Sequence, residues 1–315
     1  MFIRCFIFFL MTVNVTFANE NITKLFNNSL QLQTIVGPII KFIPLVGGFS
    51  GSEVYLINDK FVLKQLKFYN RSTITIQKQA AKLGIAPNIV YESPKDRVIL
   101  MKFLNNAAPV PRDQYTVQRI ANFLKILHQI HPKKAMIDID IFKKLKNTFE
   151  FLQHENLSQE ILNKIIKILE SKKNKYYKHT ICHNDLNPNN LLFENSKVIA
   201  VDWDTAGLND YYYDLGTIAM WYINIPDVEK KLLQQYLGRM PKKRELEHLN
   251  VMRKIAMVIA GGSLIKSGIQ MGCMAKPNMP NDLLPDFLRK IGMGEVNLDS
   301  GKELYKFGLI ILKTI

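Results

Sequence analysis

The segment from residue 183 to residue 204 constrains the fold most, because polar residues surround two short apolar runs there. The runs cover residues 191–193 and 198–201, and a polar turn separates them. This pattern predicts a β-hairpin. The hairpin would bring Asn190, just before the first run, close to Asp202, just after the second.

The polar residues around this hairpin carry a specific chemistry. Asp185 offers a carboxylate that can accept or orient the proton of an attacking hydroxyl group. Asn190 and Asp202 offer hard oxygen ligands of the kind that Mg²⁺ prefers. Together, the residue types and their order are typical of phosphoryl-transfer enzymes.

Three motifs resemble those of the choline/ethanolamine kinase and aminoglycoside phosphotransferase superfamily. His183-x-Asp185-x-x-x-x-Asn190 resembles the catalytic loop of that family. Residues 202–204, Asp-Trp-Asp, resemble its metal-binding segment, and residues 214–216, Asp-Leu-Gly, resemble the Asp-Leu pair that follows. The resemblance implies a protein-kinase-like fold and the phosphorylation of small-molecule hydroxyl groups, with ATP and Mg²⁺ as cofactors.

The resemblance also implies a role for each matching residue. Asp185 is the expected catalytic base, Asn190 and Asp202 are the expected Mg²⁺ ligands, and Asp214 is expected to be structural.

A glycine-rich loop and a lysine upstream predict a nucleotide site. Residues 53–57 and 61–66 are strand-like and are separated by a short polar turn. The preceding loop would let backbone N–H groups and hydroxyl groups approach a triphosphate. Its expected nucleotide-binding residues are Gly47, Gly48, Ser50, Gly51 and Ser52. Lys64 resembles the third-strand lysine of kinases, which contacts the α- and β-phosphates.

The partner of Lys64 stays open from the sequence. Kinase-like folds usually hold this lysine with a glutamate of the next helix, but residues 60–91 contain no acidic side chain. The helix-like segment 73–83 offers only Gln77 and Gln79, which can accept a hydrogen bond but add no charge.

Aromatic and acidic residues after the hairpin indicate a site for a cationic acceptor. Tyr212 and Trp221 could hold a quaternary ammonium group through cation–π attraction, and Asp204 could add a negative charge. Aromatic residues at helical spacing can equally belong to a core. The scattered acidic residues of 224–315 lie among many lysines, which makes a polycationic aminoglycoside the less natural acceptor.

The fold class predicted from these patterns is α+β, with two lobes. Residues 19–104 would form a small antiparallel-sheet lobe that binds ATP, and residues 105–315 a larger, mostly helical lobe for catalysis and substrate binding. Helices are expected over residues 22–34, 73–83, 115–130, 138–152, 158–171, 244–270 and 303–315, with an interruption at 261–262.

The N-terminus resembles a short export signal. Residues 1–18 contain an early arginine, an apolar stretch and a small residue at the expected cleavage point after Ala18. This predicts secretion, whereas a start at Met11 or an unprocessed segment would leave the protein in the cytoplasm. The apolar stretch is too short to span a bilayer comfortably.

Composition limits the classes of function and ligand that remain to be considered. The chain has 315 residues, 47% hydrophobic content and a net charge of +15. That charge favours polyanionic ligands such as nucleotides, but no nucleic-acid-binding motif is present and no stable membrane span is expected. Three cysteines do not form a disulfide framework.

The expected function is Mg²⁺-dependent transfer of the ATP γ-phosphoryl group to a small-molecule hydroxyl group, with a choline- or ethanolamine-like acceptor. Alternatives are a kinase for an aminoglycoside or a thiamine-like compound, and a pseudokinase that only binds nucleotide. The oligomeric state and the choice between ATP and GTP stay open.

Overall fold

The computed structural model describes residues 20–45, 52–105, 107–111, 114–132, 136–155, 157–170, 179–194, 197–274 and 277–315. These residues form two compact units. The sheet unit contains the described residues up to Val110 and residues 189–204, and the helical unit contains the described residues of 111–188 and 205–315. Residues 1–18 and positions 46–51 of the glycine loop lie outside the described residues.

Five antiparallel strands form the main sheet of the sheet unit. They are β1 (Phe42–Pro44), β2 (Glu53–Ile57), β3 (Phe61–Gln65), β4 (Ile89–Ser93) and β5 (Val98–Lys102). Their spatial order is β1-β2-β3-β5-β4. The two predicted strands and the turn between them are confirmed: β2 and β3 pair antiparallel, and their turn contains Asn58 and Asp59, each with a φ of 51°. Asparagine and aspartate tolerate this left-handed conformation better than most residues do.

Two helices, α1 (Glu20–Asn28) and α2 (Leu30–Val36), occupy the region where one helix was expected over residues 22–34. The chain divides at Ser29, whose Oγ accepts a hydrogen bond from the backbone N of Leu32 at 3.2 Å. This contact caps α2 and starts a new helix.

The third helix, α3 (Arg71–Lys82), packs on the sheet and defines the face on which Lys64 lies. Successive residues of a strand point to opposite faces. Leu63 belongs to the buried cluster formed with α1 and α2. Ile99, the partner of Lys64 across β3 and β5, instead packs with Ile74 of α3. Lys64 therefore lies on the α3 face of the sheet.

A smaller sheet in the same unit contains the predicted 191–201 hairpin. Its strands are β6 (Ala108–Pro109), β8 (Leu191–Glu194) and β9 (Lys197–Ala200). Strands β8 and β9 pair antiparallel, which confirms the hairpin. The backbone N of Ala200 also donates to Ile85 O at 3.0 Å, which ties the hairpin to the segment after α3.

The helical unit contains eight helices and two short strands among the described residues. The helices are α4 (Gln114–His128), α5 (Ile141–Leu152), α6 (Gln159–Glu170), α7 (Tyr211–Trp221), α8 (Val228–Leu237), α9 (Lys243–Gln270), α10 (Leu284–Gly292) and α11 (Gly301–Lys313). Strands β7 (His179–Cys182) and β10 (Gly207–Asp210) pair antiparallel.

Helix α9 continues through Gly261 and Gly262, so the interruption predicted there is wrong. A Cβ on Gly261 would lie 2.8 Å from Leu312 Cγ of α11, and a Cβ on Gly262 would collide with Thr148 of α5. The two glycines thus permit close helix packing. This packing offsets the cost of glycine in a helix, about 1 kcal/mol per residue.

The predicted α+β fold class is confirmed, with an antiparallel-sheet unit and a larger, mostly helical unit. The exact lobe boundary at residue 104 stays a prediction. Among the described residues, no helix is both long and apolar enough to cross a membrane.

Candidate active site

Lys64 in β3 forms ion pairs with two carboxylates. Its Nζ lies 2.6 Å from Asp202 Oδ1 and 2.9 Å from Asp204 Oδ1. Lys64 is only 6% exposed, so its amine is largely removed from water. The structure thereby identifies the partners of Lys64, which lie far along the chain and not on the following helix.

These carboxylates control the charge of Lys64. Burial by itself would lower the pKa of Lys64, because desolvation disfavours the protonated amine. Attraction to Asp202 and Asp204, together with the hydrogen bonds to both, outweighs this effect and raises the pKa above its usual value. Lys64 is therefore positively charged at neutral pH and can attract phosphate oxygens.

The hairpin brings Asn190 and Asp202 to the same end, as its geometry requires. The backbone N of Val201 donates to Asn190 O at 2.9 Å. Asp202 then adopts a φ of 60°, which is uncommon for a residue other than glycine. Its side chain is 31% exposed, so part of the carboxylate is open to a ligand.

The donor atoms at this end of the hairpin suit a hard cation. Asp202 supplies carboxylate oxygens and Asn190 a carboxamide oxygen, which match the preference of Mg²⁺. Zn²⁺ more often takes nitrogen and sulfur ligands. The residues present therefore fit Mg²⁺.

Asp185 lies in the helical unit, in the loop that follows β7. Asn187 Nδ2 donates a hydrogen bond to Asp185 Oδ1 at 3.2 Å. Asn184, immediately before it, has a φ of 65° and donates from Nδ2 to Thr205 O at 3.1 Å. Asn209 Nδ2 donates in turn to Asn184 Oδ1 at 2.7 Å. The backbone turn that carries Asp185 is thus held from both ends of the Asn184 side chain.

Asp214 of α7 fixes the start of the same loop. The backbone N atoms of His183 and Asn184 donate to its two carboxylate oxygens, each at 2.9 Å. His128 Nε2 lies 3.2 Å from Asp214 Oδ2, and His128 Nδ1 lies 2.9 Å from the hydroxyl oxygen of Tyr236. Asp214 is fully buried. These contacts match the structural role that the family resemblance implies for Asp214, and they place His128 in the core.

Lys144 of α5 is a neighbour of Asp185 that the sequence motifs did not indicate. Burial of its amine lowers the pKa of Lys144, and the negative charge of Asp185 opposes this shift. Taken over the whole residue, Lys144 is exposed. The sequence shows only one of several lysines on an amphipathic helix, and nothing in that pattern distinguishes it.

The aromatic candidates for acceptor binding lie in the core of the helical unit. Tyr212 is fully buried and Trp221 is 9% exposed. The Trp221 ring makes an edge contact with Phe307 at a centroid distance of 6.0 Å. This burial favours a packing role for both rings, and their contact with an acceptor stays a prediction.

The predicted phosphate loop is described only at its end. Gly47, Gly48, Ser50 and Gly51 lie outside the described residues, whereas Ser52 directly precedes β2. The phosphate-binding role of this loop stays a prediction.

Cys182, at the end of β7, is buried and not part of a disulfide. Burial raises the pKa of its thiol, and the negative charges of Asp214 and Asp210 add to this effect. The thiol is therefore neutral at physiological pH, which suits a packing residue and not a nucleophile.

A model of the phosphotransferase enzyme family matches residues 41–249. Among curated proteins, Protein LicA of Haemophilus influenzae is 23% identical over 218 residues, which cover 64% of this chain. The chain spans 64% of the length of that relative.

Solved structures show the same fold at low sequence identity. The choline kinase LicA from Streptococcus pneumoniae has a TM-score of 0.61 at 14% identity and covers 93% of this chain and 99% of its own. A LicA structure in complex with AMP has a TM-score of 0.58 at 14% identity and covers 88% and 92%.

The family match extends over more than half of the chain. It includes the ion-paired Lys64, the hairpin that carries Asn190 and Asp202, and the loop of Asp185 that Asp214 fixes. The chain therefore belongs to the phosphotransferase enzyme family.

Proposed function

We propose that this protein is an ATP- and Mg²⁺-dependent kinase that transfers the γ-phosphoryl group to a hydroxyl group of a small molecule. The ion pair between Lys64 and Asp202 carries the proposal. It joins the lysine that would bind phosphate to the carboxylate that would bind the metal ion, two roles that phosphoryl transfer requires side by side.

Lys64 would bind the phosphates of the nucleotide. Its amine is positively charged and belongs to the same unit as Ser52, the described end of the predicted loop. The AMP complex of a LicA protein with the same fold supports a nucleotide as ligand.

Asn190 and Asp202 would hold Mg²⁺. The bound cation would neutralise charge on the β- and γ-phosphates. Asp202 lies just after β9, has a positive φ, and its carboxylate pairs with Lys64.

Asp185 would position the acceptor hydroxyl group and accept its proton. The hydrogen bond from Asn187 and the hydrogen-bonded turn at Asn184 would orient its carboxylate. An oriented base is needed because phosphoryl transfer depends mainly on alignment and charge stabilisation.

The acceptor class that we propose is a choline- or ethanolamine-like alcohol. LicA from Streptococcus pneumoniae, which shares the fold, is described as a choline kinase. An aminoglycoside or thiamine-like acceptor is the alternative within the same reaction.

The test is ADP release by the full chain with Mg²⁺-ATP and a panel of choline, ethanolamine, thiamine and aminoglycosides. We expect acceptor-dependent turnover with choline or ethanolamine. Asp185→Asn should lower kcat at least about a hundredfold, the usual contribution of a positioned base, and leave nucleotide binding unchanged.

The matched control is Asp138→Asn, which alters an exposed aspartate of the same unit. Full turnover by Asp185→Asn would contradict the catalytic assignment. Nucleotide binding without turnover on any acceptor would instead support the pseudokinase alternative.

Export by residues 1–18 is also a proposal. Mass spectrometry of the natural protein would identify its first residue. A mature N-terminus at Asn19 supports the signal, whereas retained Met1 or Met11 contradicts it.

A further inference from the structure

Helix α3 offers no negative charge to Lys64. Its twelve residues include neither aspartate nor glutamate. The buried polar residue Gln77 directs its Nε2 to Met101 Sδ at 3.1 Å and to Pro87 O at 3.5 Å. The counter-charge for the buried amine must therefore come from elsewhere in the chain.

Asp204 supplies part of that charge from a well-defined position. The preceding residue, Trp203, is buried, and its indole N–H donates to Ala200 O at 2.9 Å. Asp204 follows in the short 3₁₀ turn Trp203–Thr205. The anchored tryptophan thus sets the direction from which the Asp204 carboxylate reaches Lys64.

Asp202 and Asp204 both pair with Lys64 but differ in their other proposed roles. A buried ammonium group needs a negative partner, since an unpaired charge in a protein interior is strongly unfavourable. Asp202 is the proposed metal ligand, and a divalent cation would compete with Lys64 for its oxygens. Asp204 is the carboxylate whose charge remains available to Lys64.

We propose that Asp204 is a positioning residue that holds Lys64 for the nucleotide phosphates while Asp202 serves the metal ion. This inference rests on the proposed function and deepens it. It replaces the helix glutamate of kinase-like folds with a residue of the metal-binding segment, and it assigns Asp204 to the nucleotide instead of the acceptor.

The test is a double-mutant cycle on nucleotide affinity, measured with the full chain and a non-hydrolysable ATP analogue in the presence of Mg²⁺. We expect Asp204→Asn and Lys64→Met each to weaken binding about tenfold, as expected for loss of a charge-assisted contact. The double variant should bind no more weakly than Lys64→Met alone, because Asp204 acts through Lys64.

A second readout separates the two substrates. Asp204→Asn should raise the KM for ATP and leave the KM for the acceptor unchanged. Asp204→Glu retains the charge and should restore part of the nucleotide affinity. It also keeps the test decisive if Asp204→Asn folds poorly, which the thermal midpoint of the ligand-free protein would reveal.

The pair Lys41–Asp59 provides a matched control in the same unit. Its atoms lie 2.7 Å apart, like those of the site, but both side chains are exposed. Asp59→Asn should leave nucleotide affinity unchanged.

The outcomes distinguish the inference from the proposed function. Unchanged binding by Lys64→Met would overturn the nucleotide role of Lys64 and hence the proposed function. Weak binding by Lys64→Met with normal binding by Asp204→Asn would overturn the inference alone. If Asp204→Asn changed only the KM for the acceptor, the inference would also be overturned, and Asp204 would be assigned to acceptor binding.

Discussion

At the residue scale, Asp185 has a positively charged neighbour in Lys144. The desolvated amine of Lys144 interacts with the Asp185 carboxylate, although the two residues belong to different elements. A cation here could offset negative charge on a phosphoryl group during transfer.

We expect Lys144→Met to lower kcat about tenfold, because a nearby unit charge in a partly desolvated site contributes on this scale. The pKa of Lys144 is lowered, so its charge is lost at a lower pH than that of an ordinary lysine. As pH rises, activity of the wild-type protein should therefore fall at a lower pH than the deprotonation of an ordinary lysine would allow. Lys144→Arg should extend the active range to higher pH.

The measurement is the pH profile of kcat for the three proteins. Lys143→Met is the control, since this neighbouring lysine is exposed on the same helix. Identical alkaline limbs for the wild-type and Lys144→Arg proteins would show that the charge of Lys144 does not support turnover.

At the element scale, Glu245 secures the start of the long helix α9. Its carboxylate accepts hydrogen bonds from Arg239 Nη1 and Nη2 at 2.9 and 2.7 Å, and one from the backbone N of Lys242 at 2.7 Å. These contacts cap a helix that packs against α5, α7 and α11. The hydrogen bonds of Arg239 contribute most to lowering the pKa of Glu245 to about 2.

Glu245→Gln should lower the thermal midpoint by a few degrees at neutral pH. The folded-state pKa lies below the unfolded value, so the charge stabilises the protein above the unfolded pKa, about 4.3. The stabilisation is lost as pH falls toward about 2.

Thermal scans from neutral pH down to about pH 2 would test this expectation. The difference between wild type and Glu245→Gln should shrink below about pH 4.3, the unfolded pKa of a glutamate. Glu247→Gln, an exposed change on the same helix, is the control. A difference that stays constant with pH would show that packing, and not charge, explains the effect.

Sequence patterns predicted helices and strands correctly where neighbouring residues alone determine the structure. The 191–201 hairpin is confirmed because a polar turn and two apolar runs suffice to define it. The predicted break in α9 is wrong because its two glycines allow close contact with helices distant in sequence. Helix propensity does not take such contacts into account. The division at Ser29 depends on one capping contact within a segment of uniform helical pattern.

At the scale of the whole molecule, the net charge of +15 gives the protein a positive field. Such a field attracts anionic ligands over distances that salt shortens. It acts in addition to the specific pairing of Lys64 and is independent of the detailed site geometry.

Affinity for Mg²⁺-ATP should therefore fall several-fold when the ionic strength rises from about 0.01 M to about 0.1 M, which shortens the Debye length from about 30 Å to about 10 Å. Calorimetric titration at the two salt concentrations would measure this change. Adenosine, which lacks phosphates, is the matched ligand and should bind equally well in both. A salt effect of equal size for adenosine would contradict an electrostatic origin.

The site was predictable in its residue types but not in its pairings. The types and spacing of Asp185, Asn190 and Asp202 indicate their chemistry from the sequence alone. The partners of Lys64 could not be found in the same way, because they lie 138 residues or more along the chain. Likewise, Tyr212 is fully buried, and the spacing of aromatic residues along the sequence does not show whether a ring is buried or open to a ligand.

The positive φ of Asp202 limits which mutations this position can accept. A replacement must keep an anionic oxygen and must also tolerate a left-handed backbone. Glutamate meets the first requirement but is far less suited to the second, whereas asparagine and glycine meet the second and lose the charge. Aspartate alone satisfies both, so natural variation at position 202 should be narrower than its chemistry by itself would allow.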